Sequence, residues 1–114
     1  MKIDGLDVKR GIELSGGETE YRDKTLPVFY SYGMEVYGRI KECFDTGNMS
    51  QYITYIFSLK NSATHVGAVK LTQAAQDMES AVDLGDYSFI ELKNEQFLSV
   101  LKQLLIDIRN ELVS

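Results

Sequence analysis

Few side chains in this sequence are equipped for covalent or ligand chemistry: one histidine, His65, one cysteine, Cys43, and the carboxylates. An imidazole offers a nitrogen lone pair to phosphorus or to a metal, and a thiolate is a strong nucleophile, but both depend on neighbours that activate them. One histidine cannot make a His-Glu-x-x-His zinc motif, and no glycine-rich phosphate loop followed by Lys-Ser or Lys-Thr occurs. Cys43 has no second cysteine for a disulfide or a thiolate metal site, and reads as a small apolar residue on a helix. The run "DLGDYSFIE", Asp83 to Glu91, lacks the spacing of a calcium loop and reads as a turn and a helix cap. The remaining carboxylates fall on expected solvent faces with no pair converging. The chain therefore reads as a non-enzyme that needs no metal and no cofactor.

Composition narrows the class further. The 114 residues, 44% of them apolar, suit one domain spanning residues 1–114 with a single core. Twelve Lys+Arg against seventeen Asp+Glu give a net charge of −5, which argues against nucleic acid or an anionic membrane surface. An acidic, soluble protein partner fits better. No window approaches the roughly 18 uninterrupted apolar residues of a membrane span, and "MKIDGLDVKRGIEL" has no apolar signal core, so the expected location is cytoplasmic.

The elements that must position these side chains are helices. "SGGE" at Ser15 to Glu18, "DTGN" at Asp45 to Asn48 and "LGDY" at Leu84 to Tyr87 punctuate the chain. From Glu18 to Phe44, Leu26, Phe29, Met34, Val36, Tyr37, Ile40 and Phe44 recur at helical spacing, and Pro27 predicts a kink or break. Asn48, with Gln51 three residues on, predicts an N-cap for a helix running to about Thr64, and Gly67 predicts a break or bend. Val69, Leu71, Ala74, Ala75, Met78, Ala81 and Val82 form the next stripe, with Gly85 as a left-handed cap. Phe97, Leu101, Leu104, Leu105, Ile108 and Leu112 form the last. Before it, Tyr87 to Leu92 reads as a separate turn, with a Ser88/Glu91 capping box and Asn94 starting another helix. The expectation is an all-α, up-down-up-down four-helix bundle with a short amino-terminal helix.

The run Phe57-Ser58-Leu59-Lys60-Asn61-Ser62-Ala63, followed by Gly67, resembles the motif of histidine-containing phosphotransfer domains of bacterial two-component phosphorelays. That motif has the form His-x-Leu-Lys-Gly-Ser-(Ser/Ala)-x-x-x-Gly, and Leu59, Lys60, Ser62, Ala63 and Gly67 match it. "IDGLDVKRGIELSGGETEYRDKTLPVFY", "FDTGN" and "LTQAAQDMESAVDLGD" are similar to the family's opening, its turn before the active helix and the helix after it. The last helix is similar only in length and pattern. The resemblance implies docking to a response-regulator receiver domain or a hybrid sensor kinase. Two positions depart from it. Phe57 stands where the phosphoacceptor histidine belongs, and a benzyl ring has no lone pair to phosphorylate. Asn61 stands where a glycine would let the partner come close.

With Ile56 and Leu59 facing the core, Ile53, Phe57, Lys60, Asn61 and Thr64 share the opposite face of their helix. Three readings follow for that face. It is a receiver- or kinase-docking surface that outlived the phosphate chemistry, or a homodimer contact, or Phe57 packs against its own bundle beneath the amino-terminal segment. His65 is the alternative phosphoacceptor, but it lies eight residues on, about 80° around the helix. The charged ending "RNELVS" suits either a standalone chain or a piece of a hybrid kinase.

Overall fold

Asp7, Asn48 and Asp86 each stand one residue ahead of a helix and close its first turn with a side-chain oxygen. They accept from the backbone N–H of Arg10 at 3.1 Å, Gln51 at 3.3 Å and Phe89 at 3.1 Å, which satisfies donors that a helix start leaves unpaired. The computed structural model describes residues 1–114. Its helices are α1 (Val8–Ser15), α2 (Glu18–Glu20), α3 (Leu26–Thr46), α4 (Met49–Val66), α5 (Val69–Asp83) and α6 (Tyr87–Val113), with a π turn at Tyr21–Thr25 joining α2 to α3. There is no strand.

Pro27 does not break the chain. Ahead of it the Leu26 N–H donates to the Tyr21 carbonyl, five residues back rather than four, and the backbone stays right-handed through Thr25 and Leu26. A proline ring in a regular helix meets the carbonyl four residues earlier, and the wider π turn makes room for it. The expected kink or break is thus a bulge in a continuous helical run from Glu18 to Thr46.

The segment Tyr87 to Leu92 corrects a second expectation. It is the first part of the 27-residue α6, capped by Asp86 rather than Ser88, and Asn94 starts nothing. Ile90, Phe97, Leu98 and Leu101 are buried on one face, and Asn94 falls on that face between them. Asn94 is the one buried polar residue, and its Oδ1 accepts from the Tyr52 hydroxyl at 2.7 Å. An amide looked like a cap in sequence because asparagine favours caps; inside the fold a single phenol makes its burial tolerable.

The buried apolar residues form one cluster of 23, drawn from the segment before α1, the π turn, the four long helices and Ala68 between α4 and α5. Leu26, Phe29, Val36 and Ile40 of α3, Leu71, Ala75, Met78 and Ala81 of α5, and Phe97, Leu101, Leu104, Leu105 and Ile108 of α6 are buried as their spacing predicts. Met34 and Val69 are not: each is more than half exposed. α3 packs against α4 and α6, α5 packs against the same two, and α1 lies on α4. No helix is long and apolar enough to cross a membrane.

Tyr52→Phe is expected to cost about 1–3 kcal/mol in urea unfolding, because it leaves the Asn94 amide buried without its donor. Tyr52→Phe with Asn94→Leu should recover most of that loss, since no polar group is then stranded.

Candidate docking face

α4 carries the motif, and its periodicity divides the motif residues into two sets. Ile56, Leu59 and Ala63 turn inward and are buried, while Phe57, Asn61 and Thr64 turn outward and are exposed. Phe57 is 51% exposed, so its ring neither folds into the core nor lies beneath the amino-terminal segment. Ile53, one turn earlier, is half-buried and leans on the core. The face therefore has one half-exposed apolar group, Phe57, with Ile53 as its more covered flank.

Lys60 reaches sideways from this face to α5. Its Nζ sits 2.8 Å from Glu79 Oε1, donates to Gln76 Oε1 at 3.1 Å, and lies 5.5 Å from the centroid of the Phe57 ring. The ammonium thus makes one hydrogen bond and one close ion pair within the chain, and the ring sits within the range of a cation–π contact. Both partners of the ion pair are largely shielded from water, which limits screening. The charge of Lys60 is thus met by Glu79. On the same side of α4, Thr54, Asn61 and Thr64 are uncharged and exposed, as is Gln76 of α5, which meets Lys60.

Behind the face, the Tyr32 hydroxyl of α3 pairs with Ser58 Oγ and ties the two helices together. The Thr64 hydroxyl donates to the Lys60 carbonyl at 2.9 Å, a local contact within α4. Ser62 is half-buried on the side toward α3.

His65 lies on a different surface from Phe57. Its Nδ1 is 2.8 Å from the Asn61 carbonyl oxygen, which can only accept, so Nδ1 carries the proton and the lone pair of the neutral ring is on Nε2. With Lys24, Val28, Tyr32 and Asn61 it lines an open groove of about 620 Å³ between the start of α3 and the end of α4. Lys24 is itself 3.3 Å from Glu20. No three His, Cys, Asp or Glu side chains gather at one place.

No family model, curated protein or solved structure matches this chain.

Gly67, the last motif position, does structural work. It ends α4 with φ +80°, its carbonyl accepts from the Asp7 N–H at 2.6 Å, and a Cβ on it would lie 2.2 Å from the Asp7 carbonyl oxygen. Tyr21 closes the same corner. Its hydroxyl donates to the Val66 carbonyl at 2.7 Å, and burial, with the Asp7 charge adding, pushes its pKa up to about 12. Desolvation raises the Tyr52 phenol as well, so both remain neutral donors at neutral pH. Gly11 of α1 completes the contact, since any Cβ there would meet the Tyr21 ring at 2.3 Å. α1, the π turn and the end of α4 are thereby clamped together, which sets the exit of α4 and the start of α5.

Sequence reasoning missed Gln76, Glu79 and Tyr32. They sit on neighbouring helices, and no spacing rule within one helix links them to Phe57 or Lys60. It also passed over Tyr21 and Tyr52, the two largest fully buried side chains, because a tyrosine in a helical pattern looks the same whether its hydroxyl is wet or paired.

Proposed function

We propose that this chain is an up-down-up-down four-helix bundle of the histidine-containing phosphotransfer type that docks a receiver domain or a hybrid sensor kinase without carrying phosphate. The connections Gly47–Asn48, Gly67–Ala68 and Leu84–Asp86 are two or three residues long, far too short to return along helices of about 20–40 Å, so successive helices run antiparallel. The pairing of α3 with α4 and α6, and of α5 with the same two, supports a closed four-helix arrangement with α1 across one end.

One observation carries the functional reading: Phe57 is half exposed on the outward side of α4, and the cation beside it is held against Glu79. An isolated apolar side chain on a surface is ordinary, but here Lys60 beside the ring is held against Glu79, and Thr54 and Asn61, three and four residues away on α4, are uncharged and exposed. That pattern suits an aromatic anchor entering a partner's pocket with a polar rim around it. A phosphate at this position would first have to draw Lys60 away from Glu79.

In a calorimetric titration with receiver domains, saturable binding is expected, and Phe57→Asp should weaken it by about 30-fold or more, the effect of removing a central aromatic anchor. Absence of binding to any receiver removes the docking reading. In that case light scattering of the same variant decides whether Phe57 joins two copies of the chain, since a dimer through this face would dissociate.

A second reading has one observation in its favour. The Nδ1–H tautomer of His65 leaves Nε2 with a lone pair on an exposed ring, the state a phosphoacceptor imidazole needs. It predicts an acid-labile phosphoryl label that His65→Ala abolishes.

A further inference from the structure

A second unpartnered surface lies between α3 and α6, away from Phe57. Tyr30, Met34 and Tyr37 recur at i, i+4 and i+7 along α3, and Lys102, Ile106 and Arg109 recur at the same intervals along α6. The two stripes border a groove of about 180 Å³ floored by the buried Leu105. Gly33 lets the helices approach there, because a Cβ on it would lie 2.7 Å from a Leu105 methyl. Met34 is 53% exposed and Ile106 42%, so the groove presents an aliphatic floor and rim to solvent.

The charge of this groove runs against that of the chain. The protein carries −5 overall, yet the only ionisable groups of fixed charge lining the groove are Lys102 and Arg109, and neither forms an ion pair. The carboxylates adjacent in sequence to the two stripes pair with neither Lys102 nor Arg109. Glu35 faces Arg39 at 3.9 Å, and Asp107 accepts from Gln103 at 3.0 Å. Two uncompensated cations beside exposed methyl and thioether groups ask for an occupant that is apolar on one side and anionic on its margins.

We infer that this groove docks an acidic amphipathic helix from a partner protein. A pair of parallel ridges at i, i+4, i+7 accepts the ridges of a third helix laid along them, and the chain has no sheet edge to pair with an extended peptide. Lys102 and Arg109 are seven residues apart, about 10.5 Å along the axis, which matches carboxylates two turns apart on the incoming helix. Its apolar residues at i, i+4 and i+7 then cover Met34 and Ile106, and the Tyr30 and Tyr37 hydroxyls remain at the rim as donors.

The test uses two synthetic amphipathic helices with the same leucine face, one bearing glutamates on its margins and the other lysines, titrated into protein labelled at its methionine methyls. The glutamate helix is expected to bind saturably and to shift the Met34 methyl signal, and K102E/R109E should weaken it by about tenfold or more. Both replaced side chains are exposed, so circular dichroism should report an unchanged fold for that variant. Equal binding of the lysine helix, an unmoved Met34 signal, or an affinity indifferent to K102E/R109E overturns the inference. A protein that is dimeric alone and becomes monomeric with M34E overturns it too, assigning the groove to a second copy.

Discussion

A phosphorylated receiver domain incubated with the Phe57→His protein is expected to transfer its phosphoryl group to the new histidine, whereas the unchanged protein takes none at this position. In the transfer a ring nitrogen lone pair forms the N–P bond as the bond from phosphorus to the aspartyl oxygen breaks, and the carboxylate leaves with the electron pair. The structure favours this outcome because position 57 is half exposed in the interior of α4, with Ile56 and Leu59 buried on either side to hold its direction. Lys60 is close enough to turn from Glu79 toward the arriving charge, since its Nζ already lies 5.5 Å from the ring at position 57. The expected change is from background to stoichiometric, acid-labile label. The same assay on the unchanged protein and on His65→Ala separates the two phosphoacceptor readings. Label on the unchanged chain that disappears in His65→Ala moves the chemistry to the groove between α3 and α4. A Phe57→His protein that folds, binds receivers and stays unlabelled would place the obstruction at Asn61, and Phe57→His with Asn61→Gly then becomes the deciding variant.

Gly67→Ala is expected to cost about 3 kcal/mol or more, while Gly47→Ala costs about 1 kcal/mol, although both glycines end helices in nearly the same conformation. Their φ angles are +80° and +73°, so the penalty for placing an L side chain in the left-handed region, about 1–2 kcal/mol, is common to both. Their surroundings differ. A Cβ on Gly47 meets nothing within 4 Å, but one on Gly67 would stand 2.2 Å from the Asp7 carbonyl oxygen and 3.1 Å from the Gly11 nitrogen. Those are backbone atoms, which cannot rotate aside, and the Asp7 N–H is already held at 2.6 Å by the Gly67 carbonyl. The substitution must therefore lift the amino-terminal segment and α1 off the end of α4, loosening Tyr21 from Val66. Thermal unfolding should register a drop on the order of 12 °C for Gly67→Ala against about 4 °C for Gly47→Ala. Equal shifts in the two variants would mean that the amino-terminal clamp contributes nothing to stability.

The helices were legible in the residues because their information is local. Asn48 with Gln51, Gly67 and Gly85 announced ends that the structure places within two residues, and the stripes on α3, α5 and α6 fall where a period of 3.6 puts them. Where a local rule had two outcomes, only packing chose between them. Pro27 could break a helix or be absorbed by a wider turn, and the second occurs because Tyr21, Leu26 and Phe29 are all buried and a break would uncover them. Asn94 could cap a helix or lie inside one, and the Tyr52 hydroxyl, forty-two residues earlier, decides for the interior.

The candidate site divides in the same way. That α4 lacks an imidazole at position 57, and that Phe57, Asn61 and Thr64 share a face, follows from residue identity and helical period alone. That Phe57 is presented to solvent, that Lys60 is occupied by Glu79 and Gln76, and that Lys102 and Arg109 stand unpaired beside Met34 depend on which helices lie side by side. Spacing along one chain encodes which residues share a helix face, but exposure and charge pairing are properties of two surfaces meeting, and those surfaces are brought together only by burial of the common core.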